Sequence, residues 1–309
     1  MSQAVLFPGQ GAQYEGMGRD WCEAFELARQ TFAAASRVLG FSLEDVCWTG
    51  GEAVHRTDIA QPAIFVTSAA ILNVLEQRGL ERWSTPLTAG LSLGEYTALW
   101  WAGALEFEDA VRLVRLRGAA MQRASELRPS GMTSLMGATL DQARALAEVG
   151  AKHGICSVAN LNAPGQVIVS GELAALDAVD AAAKDHGVRR TRRLVVAGAF
   201  HSECMRPAAD ELAAALERVD VRTPRFPVIS NVDARPVADG AQVKQRLAAQ
   251  VCAPVLWEDS MRWAIARGVK EFLEPGPGKV LAGLLSKIDE SASVRSAATP
   301  GDLATAPAH

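Results

Sequence analysis

A serine stands between two glycines in the stretch "AGLSLGEYTALW", which spans residues 89–100. A serine hydroxyl becomes a useful nucleophile only when a neighbouring base takes its proton. A sharp turn from a strand into a helix would expose Ser92 and would aim the first amides of the helix at developing negative charge. Gly90 and Gly94 permit such a turn, but an ordinary structural serine fits the same five residues equally well.

The candidate base for this serine is His201, in "AGAFHSECM". It follows the predicted end of a strand and a turn that contains glycine. A histidine in such a place is, by itself, more often an ordinary loop residue than a catalytic one. The other four histidines lie in polar helical or terminal contexts and suggest no role: His55, His153, His186 and His309.

The elements around these residues alternate between strands and helices. The apolar run at 4–7 ends at the glycine-rich "PGQGAQ" and is followed by a helical pattern, and "PLTAGLSLGEYTALWWAGAL" is typical of a strand, a turn and a helix. This alternation predicts an α/β fold with a parallel sheet.

Residues from about 131 to 196 have a different pattern, β-α-β-β-α-β, which is the order of a ferredoxin-like unit. Its first helix is expected to be capped by Thr139, with Gln142 three residues later. We therefore predict a catalytic core made of residues 1–126 and 197–290, a small ferredoxin-like inserted subdomain at 127–196, and a flexible tail at 291–309, where apolar residues are sparse.

Composition excludes several classes of protein. The chain has 309 residues, of which 49% are hydrophobic and 21% charged, and its net charge of -4 gives it no electrostatic tendency to bind nucleic acid. We expect neither a signal peptide nor a membrane span. The five scattered cysteines, without a C-x-x-C pair, indicate reduced thiols of a cytoplasmic protein and no metal site.

Eight motifs, taken together in this order, carry a specific resemblance: "FPGQGAQYEGMG", "DIAQPAIFVTSAAI", "GLSLGEYTAL", "RLRGAAMQ", "NLNAPGQVIVSG", "GAFHSECM", "ISNVDARP" and "EPGPGKVLAGLL". From about Ala4 to about Ile288, the chain resembles the malonyl-CoA:acyl carrier protein transacylases and the related acyltransferase domains of fatty-acid and polyketide synthases. The resemblance implies an α/β-hydrolase-like core with a ferredoxin-like insert, in agreement with the element order above.

The resemblance also implies roles for residues at matching positions. Ser92 would be the acylated nucleophile and His201 its base, while a carbonyl of Gln250 would hold the second ring nitrogen of the histidine in place of a carboxylate. The amides of Gln10 and Leu93 would form the oxyanion hole. Arg117, in "RLRG", would bind the free carboxylate of a malonyl group, a task that suits the planar fork of a guanidinium.

Four further residues would contact the substrate. Phe200 would narrow the acyl pocket and favour malonyl over methylmalonyl. Asn160 and Asn162 would support the site from the insert, and Arg190, within the only dense basic cluster, would meet phosphates of CoA or an acidic carrier protein. One departure from the commonest family pattern is Leu91, where many relatives have histidine; we assign it only a packing role.

The expected function is transfer of malonyl from malonyl-CoA to the thiol of holo-acyl carrier protein by a cytoplasmic, monomeric enzyme that needs no metal and no cofactor. Two alternatives stay open. A serine hydrolase would use an acidic third triad member and would lack the carboxylate-binding arginine. A carrier-protein binding module without activity would never acylate Ser92. The sequence leaves open whether the pathway makes fatty acids or polyketides.

Overall fold

The computed structural model describes residues 3–303, which form nine β-strands and twelve α-helices. In chain order these are β1 (Ala4–Phe7), α1 (Arg19–Ala24), α2 (Glu26–Leu39), α3 (Leu43–Thr49), α4 (Thr57–Gln77), β2 (Thr88–Gly90), α5 (Gly94–Trp101), α6 (Phe107–Glu126), β3 (Ser130–Ala138), α7 (Leu140–Ala151), β4 (Cys156–Ala163), β5 (Gly165–Glu172), α8 (Leu173–Ala182), β6 (Arg190–Arg193), α9 (Arg206–Leu216), β7 (Val228–Ile229), α10 (Gly240–Gln250), α11 (Trp257–Ile265), β8 (Glu271–Pro275), α12 (Val280–Ile288) and β9 (Ser293–Ala297).

The larger sheet has five strands in the order β7-β2-β1-β8-β9, and every neighbouring pair is parallel. Its central strand, β1, is buried on both faces, as an all-parallel sheet covered by helices requires. Val5 and Phe7 belong to one apolar layer, whereas Ala4 and Leu6 belong to the other. The predicted α/β fold with a parallel sheet is confirmed.

The smaller sheet is antiparallel, with the strand order β4-β5-β3-β6. Helices α7 and α8 pack together on it around an apolar cluster of their own. The capping box predicted at Thr139 and Gln142 is present at the start of α7. Strand β4 is tied to the rest of the chain at Val255, whose amide donates to Ala159 and whose carbonyl accepts from Leu161, each over 2.9 Å.

The prediction of a flexible tail after residue 290 is wrong for its first part. Strand β9 pairs in parallel with β8 at the edge of the larger sheet, and a 3-10 turn follows at Pro300–Leu303. The carbonyl of Ala298 accepts a hydrogen bond of 2.9 Å from the buried indole of Trp21. Strand β9 forms because the edge of β8 supplies hydrogen-bond partners for its backbone, which the amino-acid composition of 291–309 does not reveal. The rest of the predicted tail, 304–309, lies outside the described residues.

Helix α4 corrects a second expectation. It is long enough and apolar enough to cross a membrane by length and composition, although no such stretch was expected. Within the protein, 89% of its most apolar window is buried. It packs against α2 and α6 as a central core helix, which explains why it is apolar on every side.

Candidate active site

Ser92 lies on a tight turn between β2 and α5. Its φ of 52° is left-handed, a conformation that side chains other than glycine adopt rarely. The flanking glycines are sterically required: a Cβ on Gly90 would lie 1.9 Å from the carbonyl carbon of Gly94, and one on Gly94 would lie 2.2 Å from the carbonyl oxygen of Phe7. The turn therefore lifts Ser92 above the strand and starts the helix immediately behind it.

A buried amide side chain holds this strained turn in place. Asn231 Oδ1 accepts from the backbone amide of Ser92 over 2.6 Å, and Asn231 Nδ2 donates to the carbonyl of Gly90 over 2.8 Å. From the other side, Gln250 Nε2 donates to the carbonyl of Ser92 over 3.0 Å. Both amides are fully buried, so the backbone of the nucleophile is fixed by groups that have no water to bind instead.

His201 completes a hydrogen-bonded chain with Ser92. Its Nε2 lies 2.9 Å from Ser92 Oγ, and its Nδ1 lies 2.8 Å from the backbone carbonyl of Gln250. A carbonyl can only accept, so Nδ1 carries the proton and Nε2 is free to accept the serine proton. The third member is thus a backbone carbonyl, and changing the Gln250 side chain would not change the group that His201 binds.

Burial and the positive charge of Arg117 lower the pKa of His201 to about 4. The imidazole is therefore neutral in the folded protein at neutral pH, as a proton acceptor must be. The φ of His201, 58°, is also left-handed. Ser92 and His201, which meet at the serine hydroxyl, therefore both have strained backbones.

Arg117 reaches Ser92 from helix α6. A Cβ on the next residue, Gly118, would lie 2.5 Å from the carbonyl of Thr57, so α6 and α4 approach closely there. The guanidinium donates to Gln61 Oε1 over 2.8 Å through one terminal nitrogen. Through the other it donates to Ser92 Oγ and to Gln250 Oε1, each over 3.0 Å. Arg117 is only 2% exposed, and burial lowers its pKa.

The buried carboxyl of Glu95 is separated from Arg117 by the side-chain amide of Gln250. Glu95 Oε2 accepts from Gln250 Nε2 over 2.7 Å and from the backbone amide of Asn231 over 3.0 Å. Burial raises the pKa of Glu95 to about 7, against the opposing effect of these hydrogen bonds and of Arg117. Gln250 therefore separates the two charged groups: its side-chain oxygen faces the cation and its nitrogen faces the carboxylate.

The amides of Gln10 and Leu93 lie on the two loops that meet at the nucleophile. A Cβ on Gly9 would lie 2.3 Å from the carbonyl of Leu91, so the loop after β1 is pressed against the Ser92 turn. Within residues 3–303, neither the Gln10 amide nor the Leu93 amide donates a hydrogen bond. Both amides are therefore available for the oxyanion hole that the family resemblance implies.

A cavity of about 770 Å³ opens above these groups. Ser92, His201 and Arg117 line it, together with the other predicted contact residues Gln10, Phe200, Asn160 and Asn162, and with Leu91. Asn162 Oδ1 is buried and has no hydrogen-bond partner among the described residues. Arg190 does not line the cavity: it is exposed at the start of β6, the edge strand of the smaller sheet.

Comparison with known proteins shows the family to which the chain belongs. The family described as acyl transferase domain matches residues 5–301. The chain belongs to this acyl transferase family. It is 40% identical over 289 residues to the malonyl CoA-acyl carrier protein transacylase of Bacillus subtilis, covering 93% of this chain and 90% of that one. It is 36% identical to the transacylase of Escherichia coli K12, covering 98% of each.

Solved structures of the acyl transferase family give the same result. The acyl-carrier-protein S-malonyltransferase of Bartonella henselae superimposes with a TM-score of 0.95 at 36% identity, covering 98% of each chain. A malonyl-transacylase solved in complex with AntF, a type II polyketide synthase acyl carrier protein, superimposes with a TM-score of 0.94 at 37% identity, covering 99% of this chain and 98% of that one. The family resemblance drawn from the eight motifs is confirmed.

Sequence reasoning missed three residues of this site. Asn231, Glu95 and Gln61 all lie inside motifs that carried the resemblance, but none was singled out. One signal was available: Gln61 is an amide within the otherwise apolar run of α4, and a polar residue in such a run needs a buried partner. The side chain of Gln250 was also missed, since only a carbonyl of that residue was expected to matter.

No group of three or more His, Cys, Asp or Glu side chains within residues 3–303 is arranged to hold a metal ion.

Proposed function

We propose that the protein transfers the malonyl group of malonyl-CoA to the phosphopantetheine thiol of holo-acyl carrier protein through a malonyl ester on Ser92. One observation carries the proposal: Ser92 Oγ lies 2.9 Å from a neutral imidazole and 3.0 Å from a buried guanidinium, inside one cavity. The names of the similar proteins support the substrates, since they are malonyl transacylases and one was solved with an acyl carrier protein.

In the first half-reaction, Ser92 Oγ attacks the thioester carbonyl while its proton passes to His201 Nε2. The negative charge on the carbonyl oxygen is stabilised by the amides of Gln10 and Leu93. The carbon–sulfur bond then breaks, and CoA leaves as a thiol with the proton from the imidazolium. The Gln250 carbonyl keeps Nδ1 protonated throughout and fixes the orientation of the ring.

In the second half-reaction, the pantetheine thiol of the carrier protein occupies the place of CoA. His201 takes the thiol proton, the sulfur attacks the ester, and Ser92 leaves with that proton. A carbonyl beside the imidazole orients it but adds no negative charge, unlike the carboxylate of a serine hydrolase triad. This favours an ester that persists until a thiol arrives, and therefore transfer over hydrolysis.

Selection of the acyl group is assigned to Arg117 and Phe200. A charge-assisted bond from the guanidinium to the malonyl carboxylate is worth about 1.5–3 kcal/mol, or about ten- to a hundredfold in preference. Phe200, 6% exposed on the cavity wall, leaves little room for an α-methyl group. Asn160 and Asn162, which line the cavity, would support the substrate from the insert, while Arg190 would act outside the cavity on a phosphate or on the carrier protein.

We also propose that the fold is an α/β-hydrolase-like core with a ferredoxin-like insert. The β-α-β-β-α-β order of the smaller sheet and its helices supports a ferredoxin-like insert at 127–196. The turn at Ser92 between a parallel strand and a helix supports a hydrolase-like core. A monomeric, cytoplasmic enzyme of fatty-acid or polyketide synthesis, without a cofactor, remains the expected setting.

The test is the mass of the intact protein after separate incubation with malonyl-, methylmalonyl- and acetyl-CoA, followed by addition of holo-acyl carrier protein. We expect a malonyl adduct that maps to Ser92, is absent from Ser92→Ala and moves to the carrier protein. Loss of the adduct to water as fast as to the carrier protein would indicate a hydrolase. No adduct at all would indicate a binding module without activity.

A further inference from the structure

The arginine of the acyl pocket differs from its neighbours on the same helix. The other three arginines of α6 each bind a carboxylate: Arg112 binds Glu108 and Asp109, Arg115 binds Asp58, and Arg123 binds Glu211. Those three are at least one-third exposed, whereas Arg117 is buried. The one cation of this helix that most needs a negative partner has no carboxylate bonded to it.

Two neutral oxygens replace the carboxylate. Gln61 Oε1 and Gln250 Oε1, which we call the neutral cradle, accept from Arg117 over 2.8 and 3.0 Å. With Ser92 Oγ, the described residues use three of the five guanidinium N–H donors. The cradle satisfies hydrogen bonds and fixes the plane of the guanidinium, but it brings no negative charge into direct contact with it, since the Gln250 amide separates Arg117 from the buried carboxyl of Glu95.

Gln61 is placed to position the Arg117 guanidinium. It is fully buried on α4 and does not line the cavity, so it would act on substrate only through Arg117. Its Nε2 lies 3.5 Å from the sulfur of Met121, a weak acceptor that fixes which end of the amide faces the arginine. The amide therefore presents oxygen, not nitrogen, to the guanidinium.

We propose that the neutral cradle sets the preference of this pocket for acyl groups that end in a carboxylate over uncharged ones, with Gln61 as its principal positioning residue. A buried cation without a bonded counter-charge is unfavourable in the free protein, and a carboxylate on the acyl group relieves it. An acid at position 61 would pair with Arg117 beforehand, so the incoming carboxylate would compete with a bound one. The inference rests on the proposed function, because it assumes that Arg117 receives the malonyl carboxylate.

The experiment measures kcat/KM for acylation of Ser92 by malonyl-CoA and by acetyl-CoA, using rapid mixing and intact-protein mass. We expect Gln61→Glu to lower the malonyl-to-acetyl ratio at least tenfold. Gln61→Met, which has similar length and no charge, should keep the ratio within threefold even if both reactions slow. Gln77→Glu makes the same change of charge at an exposed position of α4 and should not alter the ratio.

A smaller fall than tenfold in folded Gln61→Glu, or an equal fall in Gln61→Met, would overturn the inference. If Gln61→Glu does not fold, Gln250→Glu combined with Glu95→Gln places a single carboxylate on the other terminal nitrogen of Arg117, with no second carboxylate beside it, and must lower the ratio by the same criterion. Failure of the proposed function looks different, because the unmodified protein would then form no malonyl ester at Ser92. The specificity ratio is a suitable readout since a general loss of structure would slow both acyl groups alike.

Discussion

Removing the Asn231 side chain should damage both the stability of the protein and its nucleophile. In Asn231→Ala, the Ser92 amide and the Gly90 carbonyl lose partners at 2.6 and 2.8 Å, and both groups stay buried. An unsatisfied buried group costs about 1–3 kcal/mol, so the free energy of unfolding should fall by about 2–6 kcal/mol.

The loss of activity should exceed what the remaining folded fraction explains. Ser92 has a left-handed backbone that persists only because its surroundings hold it. Asn231 holds it by bonding the Gly90 carbonyl and the Ser92 amide, on either side of Leu91. Relaxation of the turn would move Ser92 Oγ away from His201. A shift of about 1 Å in a reacting group can slow a reaction by about a hundredfold.

Urea unfolding gives the stability, and single-turnover acylation by malonyl-CoA gives the rate. The matched control is Asn73→Ala, which removes one partly buried hydrogen bond of 2.9 Å between α4 and α2 and should cost about 1 kcal/mol without changing acylation. If Asn231→Ala were no less stable than this control, or acylated at the rate of the unmodified protein, the reasoning about the turn would be refuted.

Three further outcomes are expected. Arg117→Met should lower kcat/KM for malonyl-CoA about ten- to a hundredfold while acetylation is retained, measured by the same acylation assay. Phe200→Ser should raise methylmalonyl loading relative to malonyl by about tenfold or more, because it opens the wall of the pocket, measured by competition between the two thioesters. In Glu95→Gln, urea unfolding should show stability falling by about 3 kcal/mol as pH drops from 6.5 to 4. The cause is His201: its pKa is about 6.5 in the unfolded chain and about 4 in the folded one, so over this range only the unfolded chain takes up a proton there. The unmodified protein should show a much flatter profile, since Glu95, raised from 4.5 to about 7, adds stability that is present at low pH and lost as pH rises.

The residues brought together at the nucleophile could be named from the sequence because each lies in a short motif with its own local geometry. Gly90 and Gly94 predict the turn at Ser92, and the structure gives the steric reason for both. A Cβ on Gly90 would collide with the backbone of Gly94, which starts the helix. The family motifs then brought His201 and Arg117 to the same place.

Other features depend on contacts between distant segments and could not be predicted in this way. The identity of the Gln250 atoms that matter is decided by where α10 ends: its backbone carbonyl reaches His201, while its side chain lies between Arg117 and Glu95. Strand β9 was missed because an edge strand needs only backbone partners, which here come from β8. Arg190 is expected near the substrate from the family resemblance and its basic cluster, but the position of β6 at the sheet edge keeps it out of the cavity.

In the proposed mechanism, the charge of Arg117 acts on the base as well as on the substrate. It is one of the causes that lower the pKa of His201, so the free protein holds a weak base. A malonyl carboxylate seated on the guanidinium would offset that charge and raise the basicity of the imidazole at the moment when Ser92 must lose its proton. An acetyl group would leave the charge in place and meet the weaker base. Discrimination between the two acyl groups should therefore appear in kcat as well as in KM, because the carboxylate assists the chemical step and not only binding.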